Sequence, residues 1–330
     1  STSLVAQDEQ YVFEEIIVTA EKRDESLQDL SQAVTVLSSE DLDNRQISSF
    51  VDISAIAPGV NVAKNEGFKT VITIRGVGYE TNQNAIATPS VSYHLDGIYI
   101  ASPYSLQTEF MDLERIEVLR GPQGTLFGQN STGGAINVIT SAPSLDESTS
   151  YGDVTFGDYS LLKTRASFNR PINESVAVRA SFITNKRDGF TDNLSTGQDL
   201  DDADSISARV RLLYQPSDTF RANFTAQIFD ENRNGSAQKG LLDTTPNPRE
   251  LRQDSQTEHK LEASLYSAVF EWDFDAYSIK SLTSYQEDDI LVRRDNDRND
   301  AAYLAPFAQL PSEYDPETNK QTTITHEFNI

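Results

Sequence analysis

Apolar and polar side chains alternate through the second half of the chain, in segments about ten residues long. Segments 176–182, 206–214 and 220–228 carry apolar residues at every second position, with mostly polar residues between them. This alternation predicts β-strands with one apolar and one polar face. A soluble sandwich would alternate too, but its strands usually have about five or six residues, whereas about ten match a tilted crossing of a bilayer.

The links between these strands also alternate in length. The pattern predicts eight strands, at 150–157, 160–170, 175–186, 205–215, 219–230, 259–273, 277–291 and 321–330. Short links at 170–175, 216–218 and 274–276 alternate with long links at 187–204, 231–258 and 292–320. Tight turns at one end and long loops at the other are typical of an outer-membrane barrel, with the long loops outside the cell.

A different pattern precedes residue 142, where short helices and short strands mix. Ser38 and the acids that follow it predict a helix start, and a second short helix is expected at 50–56. Strands are expected at 71–75, 91–95, 98–100 and 113–119. The chain therefore divides into an N-terminal segment 1–20, an α+β domain 21–142 and a strand-rich domain 143–330.

The run from Gly121 to Thr140 is rich in glycine and yet ends in a strand-like segment, 135–140. Glycine is favoured where φ must be positive or where another backbone comes close. The run is consistent with a phosphate cradle, a disordered linker or a tightly folded plug. No lysine follows Gly133 and Gly134, so the Walker A pattern is missing and the phosphate cradle is disfavoured.

Composition narrows the class of function. Acidic residues outnumber basic ones by 51 to 27, for a net charge of -24, which argues against nucleic acid as a partner. The chain has no cysteine, and its histidines, His94, His259 and His326, lie far apart in sequence. We therefore expect no zinc or haem site built from several histidines, no metal site and no cofactor. No nucleophile–base set is evident, so we do not expect an enzyme.

The first long link is strongly acidic. Its aspartates are Asp188, Asp192, Asp199, Asp201, Asp202 and Asp204. Solvation of an exposed loop explains this charge, and a calcium or other cation site is the alternative interpretation.

Five motifs follow one another in the first 140 residues. They are Glu15–Ala20, Ile74–Gly78, Leu95–Tyr99, Leu113–Pro122 and Gly124–Thr140. In this order they resemble the TonB box and the plug of TonB-dependent outer-membrane receptors, and the later strands resemble the first part of that family's barrel in a general way. The resemblance implies a transmembrane β-barrel, here about eight antiparallel strands of about 22, with an N-terminal α+β plug inside. The glycines of the run 121–140 would then allow the loops of a compact plug to fold closely together.

The family resemblance implies import of a scarce, bulky solute across the bacterial outer membrane. A ferric siderophore is the default solute, with cobalamin or an oligosaccharide as alternatives, and a plugged passive porin or adhesin or a soluble all-β protein as other classes. The implied partners are the TonB C-terminal domain with the inner-membrane energising complex, outer-membrane lipid and lipopolysaccharide, and the small-molecule or metal-chelate substrate. A monomeric barrel is expected.

The resemblance also assigns roles to residues. The TonB box comprises Glu15, Ile16, Ile17, Val18, Thr19 and Ala20, an extended segment that another protein's sheet can capture by edge addition. Plug–barrel ion pairs are expected from Arg75, Arg115, Glu117 and Arg120 with Glu327 on the wall, unless these are separate surface charges. The expected substrate-binding residues at the plug apex are Tyr79, Thr81, Asn82, Gln83, Asn84, Tyr104 and Gln107.

Eight strands are too few to close around such a plug. A barrel of about eight strands encloses only enough space for side chains, and an open wall would leave two bare edges in lipid. The chain stops at Ile330 within a strand-like pattern. We therefore expect that the rest of the barrel is missing from this sequence.

Overall fold

The structure is a computed structural model that describes residues 33–65, 69–78, 89–102, 104–105, 109–300 and 315–330, with the backbone of 17–18 and 25–26. No helix among these residues is long and apolar enough to cross a membrane. Two bodies of structure follow each other along the chain. The first is a mixed α/β region, here called the plug, and the second is a long curved sheet, here called the wall.

The described residues of the N-terminal region form thirteen short elements. They are β1 (Ile17–Val18), β2 (Glu25–Ser26), β3 (Val34–Ser38), α1 (Ser39–Asn44), α2 (Phe50–Ile53), β4 (Val60–Asn65), β5 (Lys69–Ile74), β6 (Val77–Gly78), β7 (Val91–Leu95), β8 (Ile98–Tyr99), β9 (Leu113–Arg120), α3 (Gly124–Phe127) and β10 (Gly134–Thr140). The main plug sheet has the order β3-β9-β10-β7-β8, and β4-β5-β6 form a second sheet. Strand β10 runs parallel to β7 and antiparallel to β9.

Helix α1 begins where the sequence predicts. Ser38 Oγ accepts a hydrogen bond from the backbone of Asp41, whose carboxylate accepts one from the Ser38 backbone, so both free N–H groups are satisfied. The second helix ends at Ile53 and does not reach the expected residue 56. Ser54 instead bonds through its side chain to the backbone N–H of Val62, at 2.7 Å, which ties this end to β4.

Glycine lets the two plug sheets pack closely at the start of β10. Gly134 has φ +147°, and a Cβ placed there would lie 2.3 Å from the carbonyl oxygen of Leu119. A Cβ on Gly133 would lie 2.9 Å from the carbonyl oxygen of Val77. These positions exclude any side chain, so the glycine-rich run belongs to a tightly folded body and the linker interpretation is wrong. Beneath it, Ile74, Ile116 and Ile136 are completely buried in one apolar core.

The wall and its loops contain the remaining strands. They are β11 (Thr149–Gly157), β12 (Leu161–Asn173), β13 (Val176–Arg187), β14 (Thr191–Asn193), β15 (Gln198–Leu200), β16 (Ala203–Ser217), β17 (Phe220–Arg233), β18 (Glu250–Leu251), β19 (Glu258–Asp273), β20 (Ser278–Arg294) and β21 (Asp315–Asn329). The wall is one antiparallel sheet of eight strands in the order β11-β12-β13-β16-β17-β19-β20-β21. This confirms the predicted partial barrel of about eight strands.

One face of the wall is apolar and the other is polar. Exposed apolar side chains such as Val210, Phe224 and Ile228 project from the outer face. Near the tight turns, Trp272 packs against Phe220 and Phe270, with ring centroids 5.4 and 5.8 Å away. An apolar band with aromatic residues at its rim is the surface that a transmembrane barrel presents to lipid.

The long loops fold against one another at the far end of the wall. Strands β14, β15 and β18 form a small sheet between the first and second loops. Ser195 in the first loop donates to Asp300 in the third at 2.6 Å, and Asp295 accepts from the backbone of Ser255. Among the described residues no group of acidic, histidine or cysteine side chains could hold a metal ion, so the described part of the acidic loop gives no support to a cation site.

Candidate functional site: the interface between plug and wall

A bidentate ion pair joins the plug to the wall just before β9. Arg179 on β13 donates to both carboxylate oxygens of Asp112, at 2.6 Å each, and Ser181 donates to the same carboxylate. Burial alone would raise the pKa of Asp112, but the hydrogen bonds and charge of Arg179 and the Ser181 hydroxyl outweigh it, so the pKa is lowered. Asp112 therefore stays charged and paired at neutral pH.

Two further arginines reach the plug from β16. Arg209 donates to the carbonyl oxygen of Met111 at 2.9 Å. Arg211 donates to the carbonyl oxygens of Thr140 and Ser141, at 3.0 and 3.1 Å, and lies 3.7 Å from the carboxylate of Asp96. Both arginine side chains are buried. Their hydrogen bonds satisfy plug carbonyl groups that are no longer hydrated at this interface.

The segment 102–112, here called the strap, is bonded to the wall through its described residues near both ends. At one end Lys163 lies 2.5 Å from Glu109, and Asn185 donates to the same carboxylate. At the other end Ser105 donates to Asp288 on β20, at 2.5 Å.

Tyr104, the one apex residue that the structure describes, belongs to this strap. Its hydroxyl lies 3.5 Å from a carboxylate oxygen of Glu317 on β21. Burial of the ring and the nearby charge of Glu317 raise the pKa of Tyr104 to about 12. The hydroxyl is therefore neutral and remains a hydrogen-bond donor. The other expected apex residues, Tyr79, Thr81, Asn82, Gln83, Asn84 and Gln107, lie outside the described residues.

Apart from Asp288, strands β19 and β20 contact the plug through apolar and amide side chains. Leu265, Val269 and Leu282 from the wall belong to the same apolar cluster as the plug core. The plug turn at Gly97 comes so close that a Cβ there would lie 3.3 Å from a methyl carbon of Leu282. Gln286 donates to the carbonyl oxygen of Tyr99 at 2.8 Å. Apolar packing, the amide of Gln286 and the bond from Ser105 to Asp288 therefore hold the plug on this side.

The expected plug–barrel pairs are arranged differently in the described structure. Arg115 bonds to Glu117 at 2.8 Å and also pairs with Glu114, so these charges meet within the plug. Arg120 donates to the hydroxyl of Thr35 in β3. Pairing of these residues with the barrel stays a prediction.

Arg75 and Glu327, the other two residues expected in plug–barrel ion pairs, lie away from Arg115, Glu117 and Arg120. Arg75 is exposed in the turn after β5, with φ 52°. Glu327 accepts from Asn329 on β21 and, by strand alternation, shares the lumen face with Glu317. Four ion pairs between described residues cross the interface in the opposite arrangement, because in each the wall contributes the cation and the plug the acid. Sequence alternation places Arg179, Arg209 and Arg211 on the lumen face, and this signal could have revealed them.

The TonB box is described only in its backbone at Ile17 and Val18. These two residues pair antiparallel with Ser26 and Glu25 in a two-residue ladder. The rest of the box, Glu15, Ile16, Thr19 and Ala20, lies outside the described residues.

The histidines lie on three different strands. His94 is buried in β7 and packs edge-on against Phe127, with ring centroids 5.0 Å apart. His259 on β19 lies 2.9 Å from Glu231, and His326 on β21 is hydrogen-bonded to Thr283. Each ring therefore has its own local partner.

Comparison with known proteins identifies the architecture. Residues 26–135 match the family model described as the TonB-dependent Receptor Plug Domain. The pesticin receptor of Yersinia pestis is 31% identical over 223 residues, which cover 64% of this chain and 32% of the receptor. The vitamin B12 transporter BtuB of Vibrio vulnificus is 27% identical over 164 residues, which cover 47% of this chain and 24% of the transporter.

Solved structures show the same fold. The crystal structure of the ferric yersiniabactin uptake receptor FyuA from Yersinia pestis superposes with a TM-score of 0.74 at 20% identity, covering 90% of this chain and 45% of that chain. The chain thus spans about a third or less of the length of the curated relatives named here. Residues 26–135 therefore form a plug domain similar to that of TonB-dependent receptors, and the chain as a whole has the plug-and-wall fold of such a receptor.

Proposed function

We propose that this chain is the plug and first part of the barrel of a receptor that imports a ferric siderophore across the outer membrane, driven by TonB. The names of the relatives support a scarce, bulky solute, since they include a pesticin receptor, a ferric yersiniabactin uptake receptor and a vitamin B12 transporter. The solute would bind between the plug apex and the long loops, at Tyr79, Thr81, Asn82, Gln83, Asn84, Tyr104 and Gln107.

One observation carries this proposal. The plug is held by individual ion pairs and hydrogen bonds, such as Arg179 to Asp112 and Ser105 to Asp288, whereas the wall is held by a continuous backbone ladder. Individual polar contacts can exchange for water one at a time, but a ladder yields only as a whole. A pulling force would therefore displace the plug before it disrupts the wall.

The force would enter through the TonB box at residues 15–20. The described residues of this segment, Ile17 and Val18, pair with β2 in a two-residue ladder. A strand added from the TonB C-terminal domain would satisfy its backbone over a greater length. Solute bound at the apex would loosen the plug, and TonB would then pull it. No covalent chemistry is required, so the protein acts as a transporter.

The TonB box provides the test in the full-length receptor. Ile17→Pro removes a backbone N–H that an added strand needs, while Ile17→Val keeps the N–H and a β-branched side chain. In iron-starved cells we expect Ile17→Pro to abolish uptake of iron-55-labelled siderophore without changing its binding at the surface, and Ile17→Val to import normally. Uptake that survives Ile17→Pro would favour a passive porin. Energy-dependent uptake of cobalamin or an oligosaccharide, with no siderophore bound, would reassign the substrate.

A further inference from the structure

The apolar outer face of the wall is interrupted on its last two strands. From β13 to β19 one row of ladder partners on that face consists of Val178, Leu212, Phe224 and Ala268. The row continues with Thr283 on β20 and His326 on β21, here called the outer pair. Both side chains are exposed, and Oγ1 of Thr283 lies 2.8 Å from Nδ1 of His326. A hydrogen-bonded polar pair therefore faces outward where the neighbouring strands present apolar side chains.

Aromatic side chains place the outer pair within the apolar band. On the loop side, the ring centroids of Tyr266 and Tyr285 lie 6.5 Å apart. At the tight turn, the rings of Phe274 and Tyr277 are stacked with their centroids 4.9 Å apart. Aromatic girdles of this kind mark the two membrane–water interfaces of a transmembrane barrel. Thr283 lies on β20 between these two aromatic pairs, at a depth where a barrel normally faces hydrocarbon.

Contact with hydrocarbon would leave part of this polar surface unsatisfied. Nδ1 of His326 is bonded to Thr283, while Nε2 is a donor in one tautomer of the ring and an acceptor in the other. In the described part of the chain, Nε2 has no hydrogen-bond partner. Ser281 adds a hydroxyl group on the same face of β20, and with the outer pair it forms what is here called the outer patch.

The position of the outer patch indicates a surface that another protein covers. Polar groups without partners are costly in the core of a bilayer. Ionisable residues at that depth are rare, usually face other protein groups or water, and mark functional sites. The lumen and the plug are on the opposite face of β20, where Leu282 packs with the plug core. The plug therefore cannot cover the outer patch.

We infer that the outer patch is an interface with a second copy of this chain in the outer membrane. A two-fold axis along the membrane normal places the patches of both copies at the same depth, and every contact between them then occurs twice. Hydroxyl groups and a histidine ring both donate and accept hydrogen bonds, so the patch is complementary to itself. Nε2 of His326 in one copy bonds to the hydroxyl of Ser281 in the other. The inference goes beyond the proposed function and does not depend on the solute.

Apolar side chains around the outer patch suit the same partner. Ile324 and Phe328 flank His326 along β21, and 72% and 55% of their surfaces are exposed. Tyr285 pairs with Ile324 across the ladder. These side chains pack between the two copies, while the polar groups fix how the copies are oriented. Lipid, or a partner with a purely apolar surface, would leave Nε2 of His326 without a hydrogen bond.

Cross-linking through single cysteines tests the inference, because this sequence has no cysteine of its own. Ser281→Cys places a thiol in the outer patch. Ala226→Cys is the matched control, since Ala226 is also small and faces outward inside the apolar band, but on β17. Each variant is made in the full-length receptor, with any cysteine outside this sequence replaced by serine. A short, membrane-permeable reagent that joins two thiols is then added to outer membranes.

We expect Ser281→Cys to give at least about tenfold more product of twice the receptor's mass than Ala226→Cys, because a residue near a two-fold axis lies close to its own copy. Equal yields from the two positions would overturn the inference. A product of Ser281→Cys that contains a different protein would also overturn it, because the occupant would then not be a second copy. The solute plays no part in this measurement, so failure of the proposed function would not affect it.

A second variant tests whether the polar groups hold the copies together. Thr283→Val with His326→Leu makes the outer patch mostly apolar, and the amount of heat-resistant barrel in outer-membrane fractions checks its assembly. By analytical ultracentrifugation in a mild detergent, we expect this variant to dimerise with an association constant at least about tenfold below that of the parent, because two equivalent hydrogen bonds within the membrane are lost. Phe224→Leu, on the same row of the outer face, should dimerise like the parent. An unchanged association constant in Thr283→Val with His326→Leu, or a parent that is monomeric, would contradict the inference.

Discussion

Arg179 on the wall holds Asp112 of the plug with two parallel hydrogen bonds of 2.6 Å, across 67 residues of sequence. Asp112 also has a positive φ of 51°, so its backbone is held in an unfavourable conformation that the paired carboxylate helps to maintain. The pair fixes the exit of the strap at the point where β9 begins. It is therefore the contact whose removal should most directly loosen the plug.

We expect Arg179→Met to weaken attachment of the plug, because Asp112 would remain largely buried without its partner. Removing one partner of a buried ion pair costs about 3–5 kcal/mol of stability. Because this pair is partly exposed, we expect a cost near the lower end of that range. In the full-length receptor, cells should become more sensitive to a large antibiotic that the intact outer membrane excludes. Protease should also cleave the plug faster.

A double-mutant cycle separates this pair from general damage. Arg179→Met with Asp112→Leu removes both charges and should recover part of the loss seen with Arg179→Met alone. Ser181→Ala keeps the bidentate pair and should behave almost like the parent receptor. If the double variant is as permeable as the sum of the two single variants, the pair does not act as a unit and the prediction is wrong.

The glycine at the start of β10 gives a second prediction. Gly134→Ala would place a Cβ 2.3 Å from the carbonyl oxygen of Leu119, at a φ of +147° that side chains rarely adopt. We expect a loss of several kcal/mol in plug stability, whereas alanine at a position with a compatible backbone stabilises a protein by about 0.4–1 kcal/mol. Limited proteolysis of the assembled receptor should show a cleaved plug within an intact barrel.

Gly124→Ala is the matched control for that variant. Gly124 begins the short helix α3, and a Cβ there would meet nothing within 4 Å. Alanine is also the better helix former, so this variant should be as resistant to protease as the parent or more so. Equal sensitivity of the two variants would show that close packing at Gly134 does not determine plug stability.

Local alternation was sufficient to predict the wall, but it could not predict its contacts. Strand β16 was expected at 205–215 and is observed at Ala203–Ser217, because one inward and one outward residue alternate along it. Strand β21 begins at Asp315, six residues before its predicted start, because its ladder with β20 continues to that residue. The alternation pattern missed this part because Thr318 and Lys320 are polar where an apolar residue was expected. A strand that extends beyond the lipid needs no apolar face.

Sequence patterns could not identify the plug group that each lumen-facing arginine binds. The alternation places Arg179 on the polar face, yet Asp112 is one acid among many in the plug and has no periodic signal. The motif at Leu113–Pro122 contains Arg115 and Glu117, which bond to each other within the plug and not to the wall arginines. Tertiary placement of the plug against the wall, which no local pattern encodes, decides which charges meet.

The loops at the far end of the wall should respond to pH through Asp295. Burial raises the pKa of this carboxyl to about 6, and the neighbouring charge of Asp297 adds to the effect. Because the folded-state pKa is raised, the contribution to stability is full below the ordinary pKa of aspartate. It is lost as pH rises through about 6. We expect hydrogen exchange in loop 234–257, which Ser255 ties to Asp295, to slow as pH falls from 7 to 5 after correction for intrinsic exchange.

Two variants identify the group responsible for that response. Asp295→Asn should remove the pH dependence, because the amide does not titrate. Asp243 is also in this loop, and although burial opposes it, hydrogen bonds from Thr245 and the backbone of Arg252 lower its pKa, so it stays charged in this range. Asp243→Asn should therefore leave the slope unchanged. An unchanged slope in Asp295→Asn would assign the response to another group.

The last prediction concerns the lipid-facing surface, and strand β17 contains both the test position and its control. Ala226 and Asp230 are exposed on the same outer face, four residues apart. Ala226 is flanked on that face by Phe224 and Ile228, inside the apolar band, whereas Asp230 lies beyond it, toward the long loops. Arginine near the middle of a bilayer costs about 2–4 kcal/mol in a β-barrel, and the cost falls to about 0–1 kcal/mol near the interface. We therefore expect Ala226→Arg to reduce the amount of heat-resistant barrel in outer-membrane fractions and Asp230→Arg to leave it near the parent level. Similar assembly of both variants would mean that the outer face of β17 does not contact the hydrocarbon of the bilayer.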